Sequence, residues 1–157
     1  MTQNRSPGNF ILEAADTGLA AVASVSYLGP SQKIKKLAAK ISLSASLLTT
    51  VGREVNKHEG YFKDNFPEKF EILAVKCQKE YEKILAGIEK SNSWKEGDSG
   101  EEADKPPKQQ WKKLMWALGL KEDGMYDLEE SLNKAFHRAV LLKGVVFLVV
   151  LQMHGQE

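Results

Sequence analysis

The side chains able to do chemistry are few and widely spaced. They are one cysteine, Cys77, three histidines, His58, His137 and His154, and two pairs of adjacent glutamates, Glu101-Glu102 and Glu129-Glu130. A zinc site needs ligands one helical turn or one tight loop apart, and the sequence has neither His-x-x-x-His nor Cys-x-x-Cys. A single cysteine also excludes an intramolecular disulfide framework. Neither Gly-x-Gly-x-x-Gly nor a P-loop is present to cradle phosphate, so no metal and no cofactor is expected. Cys77 has the makings of a nucleophile if a distant histidine activates it. It lies on an apolar stripe between Leu73 and Tyr81, however, and a buried structural thiol is the preferred reading. Carboxylates adjacent on a helix do not face each other, and loop carboxylates are usually just solvated, so neither pair is assigned acid–base work. The chain is read as a non-enzyme with no catalytic residues.

What remains is charge and grease. Residues 31–57 hold six basic side chains, Lys33, Lys35, Lys36, Lys40, Arg53 and Lys57, against Glu54 alone. Such a helix can meet an anionic lipid surface, where each basic residue adds roughly 1 kcal/mol. The preferred reading of the residues alone is a solvated face that keeps the bundle soluble. Nucleic acid is not expected as a partner, because no aromatic residues interleave with these lysines and the whole chain carries +1. The segment before it is almost uncharged. No charge occurs between Asp16 and Lys33, and Ala14/Gly18 and Ala20/Ser24 give small-xxx-small spacings that let helices approach closely. Three roles stay open for this segment: a central bundle helix, a homotypic contact surface, or a segment released into a membrane. Burial is the expected resting state.

The elements that position these groups read as helices. From Phe10 to Leu28, apolar residues recur at Ile11, Ala15, Gly18, Val22 and Val25, with Asn9 as N-cap and Gly29-Pro30 as stop. Ser31 caps a second helix with the stripe Ile34, Leu37, Ile41, Ala45, Leu48, Val51 and Val55. From Ile34 to Lys57 it would be ~36 Å long. His58-Glu59-Gly60 ends it, followed by an aromatic loop through Tyr61 and Phe62. Asp64 or Asn65 caps a third helix, with Pro67 in its first turn and Phe70, Leu73, Cys77, Tyr81, Ile84 and Ile88 along one face. The second and third helices are expected to form an antiparallel pair. Residues 91–108 are nearly devoid of apolar side chains and read as a mobile loop. Gln109 to Leu118 is a short helix carrying Trp111 and Trp116. The last helix starts near Met125 or Tyr126 and turns Leu128, Leu132, Ala135, Phe136, Ala139, Leu142, Val146 and Val149 to one side. Its β-branched tail, Val145 to Leu151, has strand propensity, but unbroken helical phase from Leu128 favours helix.

Length and composition frame this reading. The chain has 157 residues, of which 42 % are hydrophobic and 27 % charged, which fits one soluble globular domain and excludes a collagenous or wholly disordered chain. The N-terminus is polar and carries Glu13 and Asp16 in its apolar stretch, unlike a secretory signal. The sequon Asn4-Arg5-Ser6 is then a chance occurrence. No run reaches the ~18 apolar residues of a transmembrane helix; the nearest, Ala139 to Leu151, is interrupted by Lys143-Gly144. A cytoplasmic protein is expected. The fold class is all-α: one helical-bundle domain over residues 1–157, with four long helices plus one short Trp-bearing helix and residues 1–8 as a flexible leader.

The run Ala39 to Gly52, Ala-Lys-Ile-Ser-Leu-Ser-Ala-Ser-Leu-Leu-Thr-Thr-Val-Gly, resembles the second helix of the fungal N-terminal helical domain that opens many STAND-type (NOD-like) NTPases. Cys77 followed by Tyr81 and Ile84 is similar to the stripe of its middle helix. Lys113-Leu114-Met115-Trp116 ahead of the Leu128 to Gln152 helix resembles its ending, and Ala20 to Leu28 fits its opening helix. The likeness spans about residues 9–153 and rests mostly on packing positions. It implies kinship with the HeLo and HeLo-like modules, helical effectors of fungal incompatibility and cell death in which oligomerisation exposes the first helix to the membrane. The chain departs from that pattern in its polar leader, Met1 to Gly8, and in ending after the bundle without a nucleotide-binding or amyloid-type segment. It is expected to be an isolated domain or a short stand-alone protein. No catalytic residues carry over. The resemblance implies a signalling or effector module that self-associates or binds a partner helical domain and perturbs membranes on activation. Phe10, Ile11, Leu19, Val22 and Val25 would carry the hydrophobic surface, and Lys33, Lys35, Lys36 and Lys40 the lipid-facing charge. The alternative is a structural interaction scaffold without membrane activity.

Overall fold

The computed structural model describes residues 6–29, 31–92, 114, 115, 118 and 125–155. Among them it contains five helices and no strand: α1 (Pro7–Ser26), α2 (Gln32–Lys57), α3 (Glu59–Asn65), α4 (Glu68–Asn92) and α5 (Met125–Gly155). The all-α bundle expected from apolar spacing is thus the fold. The tail 145–151 is helical, as its phase required.

Helix ends follow cap chemistry. α1 begins three residues before the expected Phe10, because Ser6 rather than Asn9 is the cap; its hydroxyl accepts the Asn9 N–H at 3.2 Å. Pro7 then occupies the first helical position, where a missing N–H costs nothing. Gly8 of the expected leader is therefore buried helix. Gly29, at φ 134°, takes the chain out of α1 through a conformation open to glycine alone. Ser31 caps α2 as expected, accepting Ile34 N–H at 3.2 Å.

The expected aromatic loop is the short helix α3, because Phe62 is buried and continues an edge-to-face series with Phe66 and Phe70, at centroid distances of 6.3 and 5.4 Å. Asn65 does not cap the following helix; its amide donates to the Tyr61 carbonyl at 2.8 Å and closes α3. α4 runs past the expected end to Asn92, and Ser91 is buried within it, donating to the Ile88 carbonyl at 2.7 Å. The mobile-loop expectation for residues 93–108 lies outside the described residues, as do Trp111 and Trp116. Leu114 and Met115 have helical backbone and are fully buried, while Leu118 lies against Gly87 of α4.

Around the core the order is α1, α2, α5, α4, with α1 and α5 on opposite corners. α2 and α4 are not the neighbouring pair that short connections suggest. They face each other across the diagonal, meeting where Ser44 Oγ and Tyr81 Oη lie 2.5 Å apart. α1 and α2 are antiparallel, since Gly8 lies against Gly52 and Gly18 against Ala45. α2 and α5 are parallel: Lys36 and Lys40 meet Glu129 near their starts, and His58 meets His154 near their ends.

Candidate functional site

Of the described side chains that looked reactive, Cys77 alone is locked inside. Cys77 is fully buried, its Sγ donating to the Ala135 carbonyl at 3.4 Å. Burial pushes its thiol up to about 11, with Arg138 opposing and Glu80 adding to the rise. At neutral pH such a thiol holds its proton and is a poor nucleophile. Ser44 donates to the Ile41 carbonyl at 3.1 Å, so Tyr81 must be the donor in the Tyr81–Ser44 bond. Burial raises the Tyr81 phenol still further above its ordinary range, and the bond to Ser44 only partly offsets it. These three polar groups lie in the seams between α2, α4 and α5: Ser44 and Tyr81 hold each other, and Cys77 holds the Ala135 carbonyl.

The histidines do not converge on Cys77. His58 Nε2 lies 3.3 Å from Glu54 Oε2, and its ring meets His154 edge-on at 5.8 Å. His137 and Glu130 stand on the outer face of α5. No group of three or more His, Cys, Asp or Glu among the described residues could hold a metal ion. Beside the histidine pair, Ser6, Asn9 and Asn56 form a polar clamp: Ser6 Oγ donates to Asn56 Oδ1 at 3.1 Å, and Asn56 Nδ2 to Asn9 Oδ1 at 3.0 Å. It pins the start of α1 to the end of α2, and Gly8 fits beneath because a methyl there would overlap Asn56.

The residues expected to form an apolar surface are divided. Ile11 and Val25 are 0 % exposed, Phe10 and Val22 are half-buried against the core, and Leu19 alone of the five is exposed. In this state Ile11 and Val25 present no surface; the small-residue pattern brought α1 close to α2 and α4 instead. The lysines divide too. Lys33 and Lys35 point outward. Lys36 and Lys40 reach across to Glu129 of α5 at 3.6 and 3.9 Å, and Lys40 also donates to Asn133 at 3.2 Å. The two sets meet at the α1–α2 turn, where an open hollow of about 530 Å³ is lined by Ser26, Gly29, Ile34, Lys35 and Ala38.

A further group of exposed apolar side chains lies on the C-terminal half of α5. Val140, Leu141, Leu148 and Leu151 of α5 are between 44 and 65 % exposed. Opposite them Ala139, Leu142, Val146 and Val150 are buried, so this half of α5 is apolar on both its inner and outer faces. By length and composition α5 is able to cross a membrane, which the interruption at Lys143-Gly144 had argued against; one lysine and one glycine do not outweigh the apolar residues around them. Only 22 % of its most apolar stretch is buried. The sequence signal was this all-round apolarity, concealed because the inward stripe already accounted for half of it. No family model, curated protein or solved structure matches the chain.

Proposed function

We propose that this bundle is a non-enzymatic signalling or effector module of a fungal STAND-like (NOD-like) system. It acts by association, with itself or with a partner helical domain, and perturbs membranes in programmed cell death or incompatibility. It resides in the cytoplasm and is recruited to anionic membrane on activation; it needs no cofactor and does not bind nucleic acid. One observation carries the reading. The titratable side chains of the interior, Cys77 and Tyr81, are each closed in a hydrogen bond, to the Ala135 carbonyl and to Ser44, whereas leucines of α5 face outward. A surface of that kind suits contact rather than turnover.

Liposome leakage and sedimentation test it, comparing wild type with Val22→Asp and with Lys33→Glu/Lys35→Glu, a pair that leaves the Glu129 contacts intact. Leakage of anionic vesicles by wild type, reduced in both variants, is the expected result. Equal leakage by all three, or none at any concentration, removes the membrane branch. A second reading is favoured by the full burial of Ile11 and Val25 and by the clamp on α1. On that reading α1 never leaves the bundle, and the domain is an interaction scaffold without membrane activity.

A further inference from the structure

The outer edge of α5 carries a regular seam. Residues 130, 134, 137, 141, 144, 148 and 151 alternate in steps of four and three, and every one is exposed. The first three are Glu130, Lys134 and His137; the next four are Leu141, Gly144, Leu148 and Leu151. The seam changes from polar to apolar between His137 and Leu141. Nothing lies within 4 Å of where a Cβ on Gly144 would be. A glycine inside a helix weakens it; here it opens a notch between two leucines wide enough for another side chain.

We infer that this seam is a homodimer contact in which α5 of one molecule packs antiparallel on α5 of a second copy, with Leu148 of each seated over Gly144 of the other. The inference rests on the self-association branch of the proposed function and gives it a surface. In the offset antiparallel register, Leu141 meets Leu151 of the second copy, and the two-fold axis passes between the two helices at the level of residue 146. That register keeps both polar halves outside the contact. A parallel pairing would stack Lys134 on Lys134 and His137 on His137. Spacing by three and four is what knobs-into-holes packing requires. The buried inner face, Leu142, Val146 and Val150, holds each bundle on the side away from its partner. Val140, Leu141, Leu148 and Leu151 together expose on the order of 400 Å² of apolar surface, the size of a functional patch rather than of scattered residues. Two copies would bury roughly 1,000 Å² with the flanking Phe147, which corresponds to a reversible dimer rather than an obligate one. A bilayer would gain nothing from the glycine at the centre of the seam, whereas a second helix needs it.

Disulfide trapping reads this geometry. Chains carrying Leu141→Cys and Leu151→Cys, with different tags, are mixed and mildly oxidised; Cys77 is buried and stays in place. The expected product is the mixed dimer, with little dimer of either chain alone. Dimers of each chain with itself, and none mixed, would overturn the antiparallel register. Sedimentation equilibrium of full-length wild type, Gly144→Leu and Leu148→Glu follows; all of these positions are exposed, and circular dichroism checks the fold. Both variants are expected to weaken self-association at least about tenfold, by filling the notch or charging the knob. Self-association unchanged by Leu148→Glu overturns this inference and leaves the proposed function standing. A wild type monomeric up to ~100 µM overturns both this inference and the self-association branch. Vesicle binding lost in Leu148→Glu without any dimerisation assigns the face to lipid and overturns the inference.

Discussion

At the residue scale, the interior is specified by a few polar side chains with fixed donor roles. Ser44 donates a hydrogen bond to the Ile41 carbonyl and accepts one from Tyr81. Tyr81→Phe removes one bond and leaves Ser44 still donating, which should cost about 1 kcal/mol in urea unfolding. Ser44→Ala strands a buried phenol and should cost more, ~1–3 kcal/mol. The reverse order would mean the proton runs the other way. The same groups set an alkaline limit. Cys77 is raised from 9.0 to about 11, and Tyr81 is raised also, both chiefly by burial. The folded state therefore keeps protons that the unfolded chain releases. Their contribution is fully present below the unfolded values; that of Cys77 is lost as pH rises from 9.0 to about 11, and that of Tyr81 as pH rises from 10.0 upward. Unfolding free energy measured against pH should be level below pH 9 with respect to these groups and fall above it. Cys77→Ala should flatten part of that fall. Burial of Cys77 was legible from its place between Leu73 and Tyr81. Its Ala135 partner, 58 positions away, was not, since nothing local encodes a contact between helices.

At the element scale, glycines separate close contacts from open surface. A methyl on Gly18 would come within 2.8 Å of Ala45 Cβ and 2.9 Å of the Tyr81 ring. Gly18→Ala should therefore destabilise by ~1–3 kcal/mol despite its better helix propensity. The same change at Gly144, which faces open space, should stabilise the monomer by ~0.5–1 kcal/mol. Thermal unfolding of dilute protein compares the two. The long helices were legible because each has a stripe with steps of three and four. The boundaries that differed did so for local reasons. Ser6 competed with Asn9 as cap, and Pro7 fits the first turn. α3 is too short for a periodic signal and is held by Phe62 packing into the core. The Ala14/Gly18 spacing in α1 was correctly read as a close-approach device, although what it approaches is α2 and α4.

For the whole molecule, the four long helices were foreseen but their arrangement was not. Chain order suggested that α2 and α4 are neighbours; instead they face across the diagonal, because α5 fills the side of α2 that α1 leaves open. Placing α5 there explains why the expected surface moved. Ile11 and Val25 of α1 went into the core, Lys36 and Lys40 turned to Glu129, and Leu141, Leu148 and Leu151 stayed outside. The two positions of grease imply different modes of action. Association through α1 requires it to break the Ser6–Asn9–Asn56 clamp and expose its apolar side chains at ~25 cal/mol per Å². Association through α5 requires no rearrangement. Amide hydrogen exchange followed at low and at high protein concentration separates them most directly. The account predicts added protection in residues 140–151 as concentration rises, with α1 unchanged. Loss of protection along α1 on association, with α5 unaffected, would contradict it.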